Sequence, residues 1–200
     1  WLAGQELDEV TKLQVEALWP EGGMPSEEDA LLTQMATTVA LVHEPARELV
    51  ELCREPRNSV ALPDFPFLAE EQTPDFVRDN LRLFYGRWLA QNDLYDEAVD
   101  QLKELKPEKV VAPATLMFYL SAGYHRLLEK DKCLPLISRL LEREEEIPTR
   151  YRTIAQLMEA DLRPLKADSL DEVARLMDDI RRRLELGRAG ARVRKQEDDV

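Results

Sequence analysis

The feature that most constrains this chain is a set of apolar residues recurring every three or four positions, cut into segments by Pro, Gly and Asn-Asp breaks. That spacing puts the apolar side chains on one face of a helix. Leu7, Val10, Leu13, Ala17 and Leu18 make the first face, and Trp19-Pro20-Glu21-Gly22-Gly23 stops it. Ser26 reads as an N-cap ahead of Glu27, Glu28 and Asp29, whose charges suit the positive end of a helix. The face Leu31, Leu32, Met35, Val39 and Val42 then runs to His43. Pro45 restarts the helix, since proline lacks a backbone donor and clashes with the preceding turn. Leu49, Leu52 and Cys53 carry it to Arg54. Leu, Ala, Glu, Arg and Asp dominate and β-branched runs are scarce, so the expected fold class is all-α.

Residues 55–72 differ in character. Pro56, Pro63 and Pro66 forbid a continuous helix, while Val60, Leu62, Phe65, Phe67 and Leu68 are too apolar for a solvated linker. An extended segment pressed against the body is expected, and it divides an N-terminal helical region, 1–54, from the rest. Thr73-Pro74-Asp75 starts the next helix, which runs through Phe76, Leu83, Phe84, Trp88 and Leu89 to Gln91. Three hairpins follow from this point to residue 186. The first pairs that helix with Leu94–Leu105. The second pairs Pro113–Leu128 with Cys133–Arg143, where Pro135 falls in the first turn. The third pairs Thr149–Leu165 with the helix after Ser169, whose Glu172 three residues on makes a capping box. Residues 187–200 read as a tail, basic and then acidic.

Asp93, Asp131 and Asp168 superpose when the three turns are aligned, giving steps of 38 and 37 residues. A fixed period with two helices per repeat is the mark of an α-solenoid, in which each hairpin completes its core by stacking on its neighbour. The first unit resembles a tetratricopeptide repeat. Gly86 stands at that family's first close-packing point, Tyr95 at its aromatic after the turn, Ala98 at its second close-packing point, and Pro107 near its terminal proline. The second unit has Tyr124 and Leu136 at the corresponding places, and the third keeps only Leu170-Asp171-Glu172. The resemblance implies an α-α superhelix of antiparallel hairpins over residues 73–186, preceded by the N-terminal helical pair. It also implies a groove, lined by the first helices of successive hairpins, that binds a peptide or a segment of another protein. Carried onto this chain, the groove positions are Asn80, Arg87 and Gln91 in the first hairpin and Ser121, His125 and Glu129 in the second. Ordinary solvent-facing polar residues would occupy the same places, and the chain departs from the carboxylate-clamping members of the family. The segment Val60–Leu68 precedes the repeats directly, and two placements stand open for it: across the first hairpin, or within the groove.

Charge narrows the partners. The net charge is −13. Residues 1–72 hold 15 acidic and 4 basic side chains, whereas 181–195 hold Arg181, Arg182, Arg183, Arg188, Arg192, Arg194 and Lys195 against Glu185 alone. So acidic a surface disfavours nucleic acid. An acidic front and a basic tail also suggest a second organisation, a homo-oligomer assembled through charge, which rising ionic strength would weaken. No apolar stretch of about 18 residues is present, so no membrane span is expected. The chain starts at Trp1, so a leader or upstream domain removed before it is one expectation, and both cytoplasmic and extracytoplasmic locations stay open.

Catalytic chemistry finds little footing. Cys53 and Cys133 form no CxxC pair and read as free, buried thiols. The two histidines, His43 and His125, belong to no metal-ligand spacing, and no phosphate-cradling or nucleophile-elbow motif occurs. A Cys–His pair would need His43 or His125 to meet Cys53 or Cys133, and of these His125 and Cys133 fall on the two helices of one hairpin. An all-α enzyme would need facing, partly buried carboxylates. The expectation is a non-catalytic interaction or scaffold module with no metal or cofactor.

Overall fold

The computed structural model describes residues 4–19, 23–55, 62–70 and 72–188, and among these it is all-α, with helices packed in adjacent pairs. In chain order they are α1 (Glu9–Leu18), α2 (Glu28–Val42), α3 (Glu44–Arg54), α4 (Asp75–Gln91), α5 (Tyr95–Leu102), α6 (Pro113–Arg126), α7 (Lys130–Leu141), α8 (Thr149–Leu162) and α9 (Leu170–Glu185). None of the described helices is long and apolar enough to cross a membrane.

Local chemistry sets the helix ends, not always at the expected residue. Asp8 caps α1 by accepting from the Thr11 amide at 2.8 Å. Ser26 does not cap α2; the cap position belongs to Glu27, whose side chain makes no capping bond. His43 joins α2 to α3, its Nδ1 accepting from the Ala46 amide at 3.2 Å while Pro45 sits in the first turn of α3. Thr73 does not cap α4; its hydroxyl donates to the Phe67 carbonyl at 2.9 Å and ties down the preceding segment. Helix α7 begins three residues before the expected Cys133, so Pro135 lies inside it rather than in its first turn. The Ser169 hydroxyl accepts from the Glu172 amide at 3.2 Å, and the Glu172 carboxylate reaches the Asp168 amide at 2.7 Å, one residue before the position a capping box would use.

The first two hairpins share one turn. Asp93 and Leu128 both adopt the left-handed conformation, with φ of 61° and 57°. The residue after each sends its amide back to the preceding helix, Leu94 to the Leu89 carbonyl at 3.0 Å and Glu129 to the Tyr124 carbonyl at 2.9 Å. This is the six-to-one closure of a Schellman motif. It puts Asp93 and Leu128 in register, 35 residues apart, so Asp131 is not the partner of Asp93. In this register Gly86 matches Ser121, Ala98 matches Cys133 and Asn80 matches Thr115. The last two pairs, with Ser121, are wholly buried. Small residues therefore stand at both close-packing points of both hairpins, which the alignment on Asp131 hid. A Cβ on Gly86 would lie 2.6 Å from Cδ2 and 2.7 Å from Cγ of Leu102 in α5. In the second hairpin the Cys133 thiol touches the Ser121 carbonyl at 3.3 Å.

A continuous apolar core runs from Leu32 in α2 to Leu165 beyond α8. The segment before α4 belongs to it: Phe65, Phe67 and Leu68 are buried, the last two in a 3-10 turn, Pro66–Leu68. Phe65 meets Tyr85 edge-on at 5.5 Å, and Phe67 lies 5.3 Å from the His43 ring. Of its two open placements, residues 62–68 thus take the one against the first hairpin; Val60 and Ala61 lie outside the described residues. The third pair departs from the first two. Helix α9 is joined to α8 by Arg175, which pairs with Asp161. At its far end it reaches the first turn, where Arg183 pairs with Asp96 at 2.6 Å and Arg188 with Glu97 at 2.8 Å. Its one buried apolar side chain, Ile180, stands apart from the continuous core.

Replacing Gly86 with Ala sets about 1 kcal/mol of gained helix propensity against overpacking on Leu102 of about 1–3 kcal/mol. The clash involves the branching Cγ, so we expect a net loss and a melting temperature lower by about 2–4 °C per kcal/mol, readable by calorimetry.

Candidate functional site

Helices α4, α6 and α8 lie side by side, and the face they share is built of aromatic and basic groups. Phe84 and Arg87 come from α4, with the guanidinium 5.0 Å from the ring. Phe118 and Tyr119 come from α6. Tyr151 of α8 stacks on Phe118 at 4.1 Å and meets Tyr119 edge-on at 6.1 Å. This face is not open to solvent, because α2 lies against it and buries Leu32, Ala36 and Val39.

The seating of α2 depends on two acids in its first turn. Glu28 accepts from the Ala114 and Thr115 amides at 2.8 and 3.1 Å, so its carboxylate caps the start of α6. Free amides at a helix N-terminus form a natural anion site. Burial raises the Glu28 carboxyl, and these amides pull it the other way. Asp29 gathers groups from three helices. Arg87 of α4 pairs with it at 3.3 Å, the Thr115 hydroxyl of α6 donates at 3.0 Å, and the Tyr151 hydroxyl of α8 donates at 2.6 Å. Arg150 of α8 pairs with it as well. Arg87 donates further to the Asp29 carbonyl at 3.2 Å and the Thr33 hydroxyl at 3.0 Å.

The six expected groove residues fall into three groups. Arg87 and Gln91 lie at the shared face, Arg87 beneath α2 and Gln91 donating to the Tyr119 hydroxyl at 2.8 Å. Asn80 and Ser121 are fully buried rather than outward. Asn80 donates to the Phe76 carbonyl and accepts from the Val111 amide, both at 2.8 Å, and so fixes the connection into α6. Ser121 fills a close-packing point, and its hydroxyl has no hydrogen-bond partner among the described residues. His125 and Glu129 stand at the turn end of the second hairpin. Glu129 precedes α7 and pairs with Lys132. His125 bridges to Asp161 of α8 at 2.8 Å. The 38-residue step set His125 and Glu129 against Arg87 and Gln91, three residues beyond their counterparts Ala122 and Arg126 in the 35-residue register. The residues that organise the face, Asp29, Thr115, Arg150 and Tyr151, were not expected there. Tyr119 had a signal, standing 35 residues after Phe84, but nothing near Asp29 in sequence marks it as serving another helix.

A second polar feature lies where α9 crosses the hairpin ends, a cavity of about 370 Å³ lined in part by Asp93, His125, Arg126, Asp161, Arg175 and Arg182. Three of its acids are paired with arginines in place. Asp161 pairs with Arg175 at 2.5 Å and Asp178 with Arg181 at 2.9 Å, while Asp179 pairs with Arg183 at 2.7 Å and with Arg182. The Arg175 guanidinium, with His125, holds Asp161 below the ordinary carboxylate value of 3.8. Burial pushes Asp179 up, but Arg182 and Arg183 outweigh it and leave it lowered. An ionised Asp161 only accepts, so His125 carries its proton on Nε2, and burial lowers the imidazole pKa despite Asp161. A carboxylic general acid needs the opposite setting, a raised pKa. Arg181, Arg182, Arg183 and Arg188 of the basic stretch are thus engaged within the chain; Arg192, Arg194 and Lys195 lie outside the described residues. Cys53 and Cys133 are free thiols, each pushed up to about 12 by burial. Among the described residues no group of three or more His, Cys, Asp or Glu is placed to hold a metal ion.

These pairs set the pH response of α9. A carboxyl held below 3.8 stabilises the fold above that value and loses its contribution as pH falls through the lowered folded-state value. Acidification below about pH 4 is expected to release α9 before the apolar core opens, seen as early loss of α9 amide signals in NMR while those of α4–α7 persist. Asp179→Ala, which leaves Arg183 with Asp96 alone, is expected to release α9 at neutral pH at a cost of about 3 kcal/mol. No model of a known protein family matches the chain, and comparisons with curated proteins and with solved structures give no significant match.

Proposed function

We propose that this chain is a non-catalytic protein–protein interaction module of the tetratricopeptide-like kind. In this reading the hairpins form a short superhelix, and the face of α4, α6 and α8 is its docking groove for a helix or peptide segment. The 35-residue register supports it, with small residues at both close-packing points and near the period usual for the family, about 34. The observation that carries it is Asp29: one carboxylate of a bound helix is held by side chains of three successive first helices, as a segment lying across a solenoid groove would be. The groove is thus occupied in cis by α2, a largely apolar helix with Glu28 and Asp29 in its first turn.

A groove filled in cis binds a partner only in the fraction of molecules in which its own helix has left, and apparent affinity falls by that fraction. Leu32→Ala should loosen α2, because a buried leucine truncated to alanine costs about 2–5 kcal/mol. A labelled peptide of residues 26–43 is expected to bind the Leu32→Ala protein about tenfold or more tightly than wild type, measured by fluorescence anisotropy. Arg87→Ala with Arg150→Ala, added to Leu32→Ala, should abolish that binding while circular dichroism stays helical. A folded Leu32→Ala protein that ignores the peptide, or binding indifferent to the two arginines, would overturn the reading.

A further inference from the structure

Among the described residues the stack leaves the outer flank of α8 uncovered. Helix α8 packs on α6 and α7, but α9 leaves it for the first turn and does not cover its outer side. Ile154 and Leu157, one turn apart, are 43% and 63% exposed, with Ala160 exposed one turn further on. Arg150, with its side chain 59% exposed, stands one turn before Ile154 on the same side. Large apolar side chains exposed in consecutive turns are an incomplete interface.

Helix α1 presents the complement. Val10 and Leu13, also one turn apart, are 66% and 65% exposed, with Ala17 exposed beyond them. Glu9 and Glu16 flank this ridge, and Lys12 is paired with Glu9. Within one molecule α1 is fixed on α2, where the Trp19 indole donates to the Thr38 hydroxyl at 2.8 Å and Gln34 donates to the Leu18 carbonyl. We propose that α1 of a second copy of this chain docks on α8, continuing the stack. In an antiparallel arrangement Leu13 faces Ile154, Val10 faces Leu157, and Glu16 meets Arg150. The contact joins two different surfaces and therefore propagates head to tail. It does not need the basic tail, and the apolar ridges that carry it, Val10 and Leu13 on one side and Ile154 and Leu157 on the other, make no part of the Asp29 cluster, so its failure would leave the groove reading untouched.

Two substitutions at exposed positions test it, Leu13→Asp removing one surface and Leu157→Asp the other. Sedimentation velocity should show the mass of wild type rising with concentration beyond a dimer, with association about tenfold or more weaker for each variant alone. Mixed together, the variants should form a dimer that grows no further, because each retains the surface the other has lost. Charge reversal on the α1 side supplies a milder arm, in which Glu16→Arg weakens association while leaving the Asp29 cluster intact. Wild type that stays monomeric at all concentrations, or variants that fail to combine while circular dichroism reports both folded, would overturn the proposal. Variants that each still assemble as wild type does would overturn it equally.

Discussion

The fold turns on covering one face. Amphipathic helices aligned in a row bury their flanks against one another, but the surface shared by α4, α6 and α8 is left for something else to close. It carries stacked aromatics and two arginines, groups too apolar to face water and too charged for a plain hydrocarbon lid. Helix α2 meets both demands with an apolar stripe for the rings and two carboxylates for the cations and free amides. Arg87 and Asp29 are each mostly removed from solvent, and together with Tyr151 and Thr115 they form a fully partnered cluster. Such clusters add geometric specificity where apolar contact alone would allow sliding.

Helix α9 is held by a different principle. Its attachments are ion pairs to side chains of α8 and of the first turn, while its buried apolar contribution is Ile180. The core helices depend on close fit, as at Gly86 against Leu102, where one added carbon has no room. One molecule thus joins a body held by packing to a strap held by charge, and the two answer to different changes in solvent.

Much of the secondary structure was legible from spacing alone, because helix periodicity and proline are local signals. The break at His43, the start near Asp75 and the apolar segment before it all fall where the residues place them. The repeat was harder to read. Asp93, Asp131 and Asp168 are identical letters at turns, but the turn is defined by a backbone conformation, and Leu128 adopts it in the second hairpin. Identity of residue misled where identity of dihedral would have served, and His125 and Glu129 moved with it. Ser121, expected to face a ligand, instead does the work of a glycine. The role of Asp29 was out of reach because every group its carboxylate holds lies more than fifty positions away.

That distance bears on how the chain assembles. The hairpins close over short stretches and need little search, whereas the Asp29 cluster joins residues up to 122 positions apart. Loop-closure entropy makes so remote a contact late. During synthesis α2 is made early, yet its final resting place is complete only once Tyr151 has left the ribosome. Helices α3 and α4 give its apolar residues an early resting place, but the Asp29 carboxylate waits with part of its partners missing until the last of its three supports emerges.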